Sequence, residues 1–254
     1  MRGRRAQYVV LDLETVTDSK LPPPKPGPDG APIFPAAPWH EIVVMGAALL
    51  DPGCRVRRIW CVAEGQGEAM ALSALTTFLA REHDAGRPVT LVSWNGRGFD
   101  LPVIAARCLR HGIAFPWYYT GRDARYRYST DGHFDLLDYL ADHGAGKRFG
   151  LDVAARLIGL PGKLDTKGAD VAAMVSAGEI EAVRAYCMQD VAQTVALLLR
   201  VQLLRGVLDA ASCAHTLRSL LAVIAGEPRL SPMLPFIDRA RLLPAQDEPT
   251  RGAA

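Results

Sequence analysis

Apolar and polar positions alternate most sharply in residues 8–14, YVVLDLE, where aromatic and β-branched side chains lead into a two-residue period. On a strand, Val9, Leu11 and Leu13 share one face and Val10, Asp12 and Glu14 the other. The first face is wholly apolar, and the second ends in two carboxylates. Ionised carboxylates held away from water cost on the order of several kcal/mol, which a bound cation between them would offset. The alternative is a strand that stops at Leu11, with both acids in a solvated loop.

The same patterning predicts the remaining elements. Residues 21–38 are too rich in proline and glycine for helix or sheet, and read as a flap or a disordered loop. Residues 41–50 and 55–62 read as strands joined through Asp51-Pro52-Gly53, a hairpin. Helical spacing follows over 67–82, with Met70, Leu72, Leu75, Phe78 and Leu79 apolar, then a strand over 88–94 buried on both faces. Gly96 and Gly98 mark a strand-to-helix turn before a helix whose apolar side is Leu101, Ile104, Ala105 and Leu109.

Residues 118–131 are irregular, mixing tyrosines and arginines. Helices are expected over 133–143 (Phe134, Leu136, Leu137 and Leu140 apolar), 150–157 and from 171, with a loop containing Gly162 and Lys163 over 161–165. The longest helical signal spans 177–204, with a buried stripe at Ile180, Val183, Cys187, Val191, Thr194, Leu198 and Val201. A last helix falls over 211–225, and the segment beyond Pro228 reads as a tail with little structure. The order of elements describes a mixed-sheet α/β domain. Its expected extent is 7–205, between a basic extension (1–6) and a C-terminal helix and tail (206–254).

Composition narrows the class. A chain of 254 residues with 49% apolar content can bury a substantial core, and a net charge of +2 neither requires nor excludes a nucleic-acid partner. Five cysteines without a C-x-x-C pair suggest reduced thiols, not a disulfide framework or a zinc site. Arg2, Arg4 and Arg5 are followed by no signal-peptide core and no bilayer-length apolar run, so a soluble cytoplasmic protein with no membrane partner is expected.

Two further acids bear on Asp12 and Glu14. Asp100 opens a helix just past a strand, where N-capping is the ordinary role of an aspartate. Tyr186 and Asp190 stand four apart on the longest helix, hence on one face, next to its buried stripe. Mg²⁺ and Mn²⁺ take hard oxygen ligands, so a few carboxylates plus substrate phosphate suffice to hold them. Two such ions about 3.5–4 Å apart can activate a water and stabilise the leaving oxygen of a phosphodiester.

D-x-E on the first strand, N-x-x-x-F-D before a helix and Y-x-x-x-D on a late helix together resemble the DEDD superfamily of 3′–5′ exonucleases, in its tyrosine-bearing DEDDy branch. More closely, the chain resembles stand-alone bacterial proteins similar to the exonuclease domain of family-B DNA polymerases, over about residues 8–204. SWNGRGFDLPVI, HFDLLDYL and AYCMQDVAQT carry the likeness. The resemblance implies a ribonuclease H-like fold and two Mg²⁺ or Mn²⁺ ions. Asp12, Glu14 and Asp190 would hold one ion, Asp12 and Asp100 the other, and Tyr186 would orient the attacking water.

The same resemblance places Thr15, Asn95 and Phe99 around the terminal nucleotide and Lys163 near a phosphate, with Asp135 in support. It implies removal of nucleoside 5′-monophosphates from the 3′ end of single-stranded DNA, and partners in DNA replication or repair. The rivals are the same chemistry on RNA and a module that grips 3′ ends without cutting. The tyrosine–arginine stretch 118–128 combines cations with aromatic faces, as single-strand binding surfaces do.

Overall fold

The computed structural model describes residues 6–31, 33–121, 123–164 and 168–244. Arg2, Arg4 and Arg5 of the basic extension, Arg122, Asp165 and the expected tail from 245 onward lie outside the described residues. In chain order the elements are β1 (Gln7–Thr17), β2 (His40–Leu50), β3 (Val56–Cys61), α1 (Glu68–Asp84), β4 (Val89–Ser93), α2 (Asp100–His111) and α3 (Pro116–Tyr119). They continue with β5 (His133–Asp135), α4 (Leu136–Leu140), α5 (Leu151–Leu157), α6 (Val171–Ser176), α7 (Ile180–Leu204), α8 (Ala210–Gly226) and α9 (Arg239–Leu242).

The strands form one mixed sheet in the order β3-β2-β1-β4-β5, so β1 is its centre. β1 runs antiparallel to β2 and parallel to β4, which in turn runs parallel to β5. The strand does not stop at Leu11. It continues through both acids, with Asp12 opposite Gly46 and Glu14 opposite Val44. The register then shifts, Thr15 pairing with Ile42, so that Val43 is the extra residue of a β-bulge beside the carboxylates.

Alternation along β1 separates two apolar layers. Val9, Leu11 and Leu13 pack against Leu72, Leu75 and Leu79 of α1 and Leu101 and Ile104 of α2. Val10 faces the opposite layer, where Val92 and Phe134 meet Cys187, Val191 and Val195 of α7 and Leu217 and Leu220 of α8. Asp12 and Glu14 therefore look toward α7. That helix is more central than a one-stripe pattern implies. Every residue from Asp190 to Leu199 is buried, because the sheet covers one side and α5 and α8 the others.

Several expectations change in the fold. His133–Asp135 is not the first turn of a helix but a short edge strand, whose three residues are all buried beside β4. Leu109 and Met70 are exposed instead of joining the apolar faces of their helices; Arg107 and Cys108 take the inward positions on α2. Residues 229–244 are packed, not loose. Leu230, Met233 and Leu242 are buried, Asp238 N–H donates to Gly159 O (2.8 Å), and Arg200 donates to Leu242 O (2.9 Å). No helix among the described residues is long and apolar enough to cross a membrane.

Candidate active site

The site begins where α7 crosses β1 and β2. Gly46 makes the close crossing possible, since a Cβ there would lie 2.8 Å from Cys187 Sγ and 3.0 Å from Val191 Cγ2. Its strand partner Asp12 thus lies directly under the turn of α7 that carries Tyr186, Cys187 and Asp190. One oxygen each of Asp12 and Glu14 and the Cys187 sulfur lie within 4.8 Å of one another. The Cys187 thiol points at Asp12, 3.5 Å from both its carbonyl oxygen and Oδ2. Tyr186 and Asp190, one turn apart, are both buried, and Gln193 donates to Asp190 Oδ1 at 3.2 Å.

The second wall is the turn between β4 and α2. Asn95 adopts a left-handed conformation (φ 67°), and its carbonyl accepts from both Gly98 and Phe99 N–H. Gly96 is required there, because a Cβ would fall 2.0 Å from Ser93 Oγ. Asp135 sits beneath the turn and accepts from the backbone N–H of Asn95 (3.1 Å), Arg97 (2.9 Å) and Asp138 (3.1 Å). It is a support for the turn and the cap of α4 at once. Asp100 is not an N-cap. It is the first residue of α2, buried, with its carboxyl reaching the backbone of Leu13 at the end of the acidic face of β1.

A loop anchored on α5 supplies the cation. Asp152 Oδ1 accepts from Lys163 N–H (2.7 Å) and from Arg156 Nε (3.0 Å), and Lys163 Nζ then lies 5.6 Å from the centroid of the Tyr186 ring. Together these parts border a cleft of about 970 Å³ lined in part by Asp12, Phe34, Trp94, Asn95, Phe149, Lys163 and Asp190. Arg148 donates to Asn95 Oδ1 at its rim.

The electrostatics of this cluster follow from burial without enough counter-charge. Desolvation, then repulsion from Glu14, Asp190 and Asp100, holds the Asp12 carboxyl well above the usual carboxylate range. Desolvation and Asp190 push Glu14 up to about 9, against the opposing pull of Lys163. Burial lifts Asp100 to about 7 and Asp190 to about 6, with Lys163 again opposing at Asp190. The Tyr186 phenol is raised by burial and by the facing Asp190, Glu14 and Asp12, so it keeps its proton. A cation would offset this repulsion, and the neighbouring carboxylate oxygens of Asp12 and Glu14, with Asp190 and Asp100 close by, are hard donors of the kind that divalent ions take. The residues present fit such an ion.

Of the residues expected from sequence, Asp12, Glu14, Asp100, Tyr186 and Asp190 come together, and Asn95 and Lys163 line the same cleft. Thr15 and Phe99 stand back from it. The Thr15 hydroxyl is engaged with His40 Nδ1 (2.9 Å), and Phe99 is packed against the rings of His40 and Phe34. Of the tyrosine–arginine stretch, Tyr126 is tied to the Asn95 turn by Arg97, which donates to Tyr126 O (2.9 Å) and to His133 O (3.0 Å). Gly46, Asp152 and Gln193 were not legible as site residues. Only Gln193, one turn beyond Asp190, leaves a trace in the helical spacing.

The architecture is that of the ribonuclease H-like exonucleases. A solved family B DNA polymerase from the hyperthermophilic archaeon Pyrobaculum calidifontis superposes with a TM-score of 0.54 and 18% identity, over 87% of this chain and 29% of that one. Escherichia coli exonuclease I in complex with a dA16 oligonucleotide overlaps at a TM-score of 0.34 and 15% identity, over 74% of this chain and 43% of that one. The latter superposition is too loose to bear on the site. The chain therefore spans less than half the length of either.

Residues 33–238 match the model of a family described as predicted 3′–5′ exonucleases related to the exonuclease domain of PolB, and the chain belongs to that family. The matched segment reaches past α8 and starts after β1, so Asp12 and Glu14 enter the site by the fold and lie outside the match. No curated protein matches the chain by sequence.

Proposed function

We propose that this chain is a metal-dependent 3′–5′ exonuclease of the DEDDy type, releasing nucleoside 5′-monophosphates from single-stranded DNA. The observation that carries this reading is the proximity of Asp12, Glu14, Asp100 and Asp190, all with raised carboxyl pKa, beside Tyr186, with Asp12 and Asp190 opening onto the cleft. Such a buried cluster is neutralised by protons or by a bound cation, and the cation is what leaves the carboxylates ionised. Two Mg²⁺ or Mn²⁺ ions are the cofactors that best suit all-carboxylate ligation, and when bound they supply activation of water and stabilisation of the leaving oxygen.

The rest of the work falls to the chain. Asp12, at the centre of the mutual repulsion, would serve both ions; Glu14 and Asp190 would complete one and Asp100 the other. Tyr186, protonated and facing Asp190, would donate or accept a hydrogen bond that orients the attacking water. Lys163 would meet the scissile phosphate as a point charge, and Asn95, steadied by Arg148, would contact the terminal nucleotide. Tyr126 and Tyr128, exposed beside the turn, suit a strand whose bases are unpaired.

The test uses 5′-labelled single-stranded DNA and its RNA counterpart with Mg²⁺, Mn²⁺ or EDTA, resolved on a sequencing gel. A ladder that shortens from the 3′ end of DNA and disappears in EDTA is the expected result. Shortening of RNA alone would transfer the site to exoribonuclease chemistry. Binding without any ladder would reduce the protein to a 3′-end module.

A further inference from the structure

Phe34 is a large aromatic side chain left 76% exposed by a loop that is otherwise tied down. Trp39 Nε1 donates to Pro22 O at 2.7 Å, Asp18 N–H donates to Trp39 O at 2.7 Å, and together they close the base of the loop. His40 fastens its tip. Pro35 O can only accept, so His40 Nε2–H donates to it (3.0 Å), leaving Nδ1 to accept from the Thr15 hydroxyl (2.9 Å). Eight prolines among residues 21–38 further limit the conformations open to this segment. Such bracing holds an exposed ring in place without burying it.

The ring is held over the cleft. Phe34 lines it with Asp12, Asn95 and Asp190, whereas Phe99, the aromatic residue of N-x-x-x-F-D, does not. Phe99 instead backs Phe34, at 5.8 Å between ring centroids, and both rest on His40, at 5.0 and 4.9 Å. The three rings form a mutually tilted cluster, with 36–86° between their planes, of which only Phe34 lines the cleft with the carboxylates. A flat apolar face presented to a cleft that handles nucleic acid suits a nucleobase, and stacking of that kind tolerates every base.

We propose that Phe34, carried by the proline-rich loop, is the stacking platform for the 3′-terminal base, with Phe99 and His40 as its backing. This assignment rests on the exonuclease reading of the same cleft. The loop is then part of the substrate site, and its rigidity sets the distance between the terminal base and the carboxylates.

The test compares wild type, Phe34→Ala and Phe34→Trp on two readouts. In EDTA, an oligonucleotide with 2-aminopurine at its 3′ end is expected to be quenched on binding to wild type and Phe34→Trp, and to stay bright with Phe34→Ala. With metal, Phe34→Ala is expected to lose about tenfold in kcat/KM on ordinary single-stranded DNA. It should match wild type on an oligonucleotide whose 3′-terminal residue is abasic. Because Phe34 is exposed, thermal melts of all three proteins should coincide.

Equal quenching by wild type and Phe34→Ala, an equal loss on the abasic substrate, or faster cleavage by Phe34→Ala would each overturn the assignment. Phe34-dependent quenching without cleavage under any metal would leave the platform standing and remove the exonuclease reading instead.

Discussion

Gly46→Ala is the substitution that most directly questions how the site is assembled. The new methyl carbon would sit 2.8 Å from Cys187 Sγ and 3.0 Å from Val191 Cγ2, both on the turn of α7 above Asp12. Ordinary contact needs about 3.5–4.0 Å, so helix and sheet must separate by roughly 1 Å. α7 cannot tilt freely, because it is buried on every side from Asp190 to Leu199. Overpacking of this size costs about 1–3 kcal/mol, read as a lower urea midpoint at unchanged slope.

Activity should suffer more than stability. The displaced turn carries Tyr186 and Asp190, and a misplacement near 1 Å at a reacting centre costs about 10²-fold in rate. Cys187→Ala in the same chain removes the nearer obstacle and leaves Val191, so the double variant should recover part of both losses, measured against Cys187→Ala alone. A Gly46→Ala protein with wild-type midpoint and wild-type turnover would show that α7 does not depend on this approach. A double variant no better than Gly46→Ala would refute the contact with sulfur as the cause.

Other outcomes follow from the same geometry. Asp190→Ala should reduce metal-dependent cleavage by at least about 10³-fold while circular dichroism stays native, and Tyr186→Phe should slow turnover less, about 10–10²-fold, with metal affinity retained in titration calorimetry. In EDTA the folded protein should lose stability as pH rises from 7 to 9. Glu14 (about 9) keeps its proton in the fold at pH values where the unfolded chain has released it, a slope of roughly 1 kcal/mol per pH unit, and the raised Asp12 carboxyl acts in the same sense.

Mn²⁺ should reverse that trend, raising the melting temperature more at pH 8.5 than at pH 7, and a flat or rising EDTA profile over this window would contradict the electrostatic picture. Arg107, buried with Asp18 (2.6 Å) and Glu68 (2.7 Å), ties the end of β1 to α1 and α2. Arg107→Ala should destabilise by about 3–5 kcal/mol in urea titration, and Arg107→Lys should recover only part, since an ammonium cannot replace the two-pronged contact.

What could be read from the chain is what local periodicity and residue chemistry determine. Alternation around Asp12 and Glu14 assigns both acids to one face of a strand. The four-residue step from Tyr186 to Asp190 puts both on one face of a helix, and the glycines at 96 and 98 announce the turn before Asp100. Each of these depends on residues a few positions apart, and each survives in the structure.

The features that only the tertiary structure decided depend on contacts between distant residues. His133–Asp135 is a strand because β4 offers an open edge, and three residues are too few for a period to show. Residues 229–244 are ordered because Leu230, Met233 and Leu242 find apolar cover on the layer of α7 and α8. Gly46 reads as an unremarkable strand glycine until α7, more than a hundred residues later, lies across it. Phe34 is a loop aromatic until His40 and Phe99 turn it toward the carboxylates, and no pattern along the chain encodes that packing.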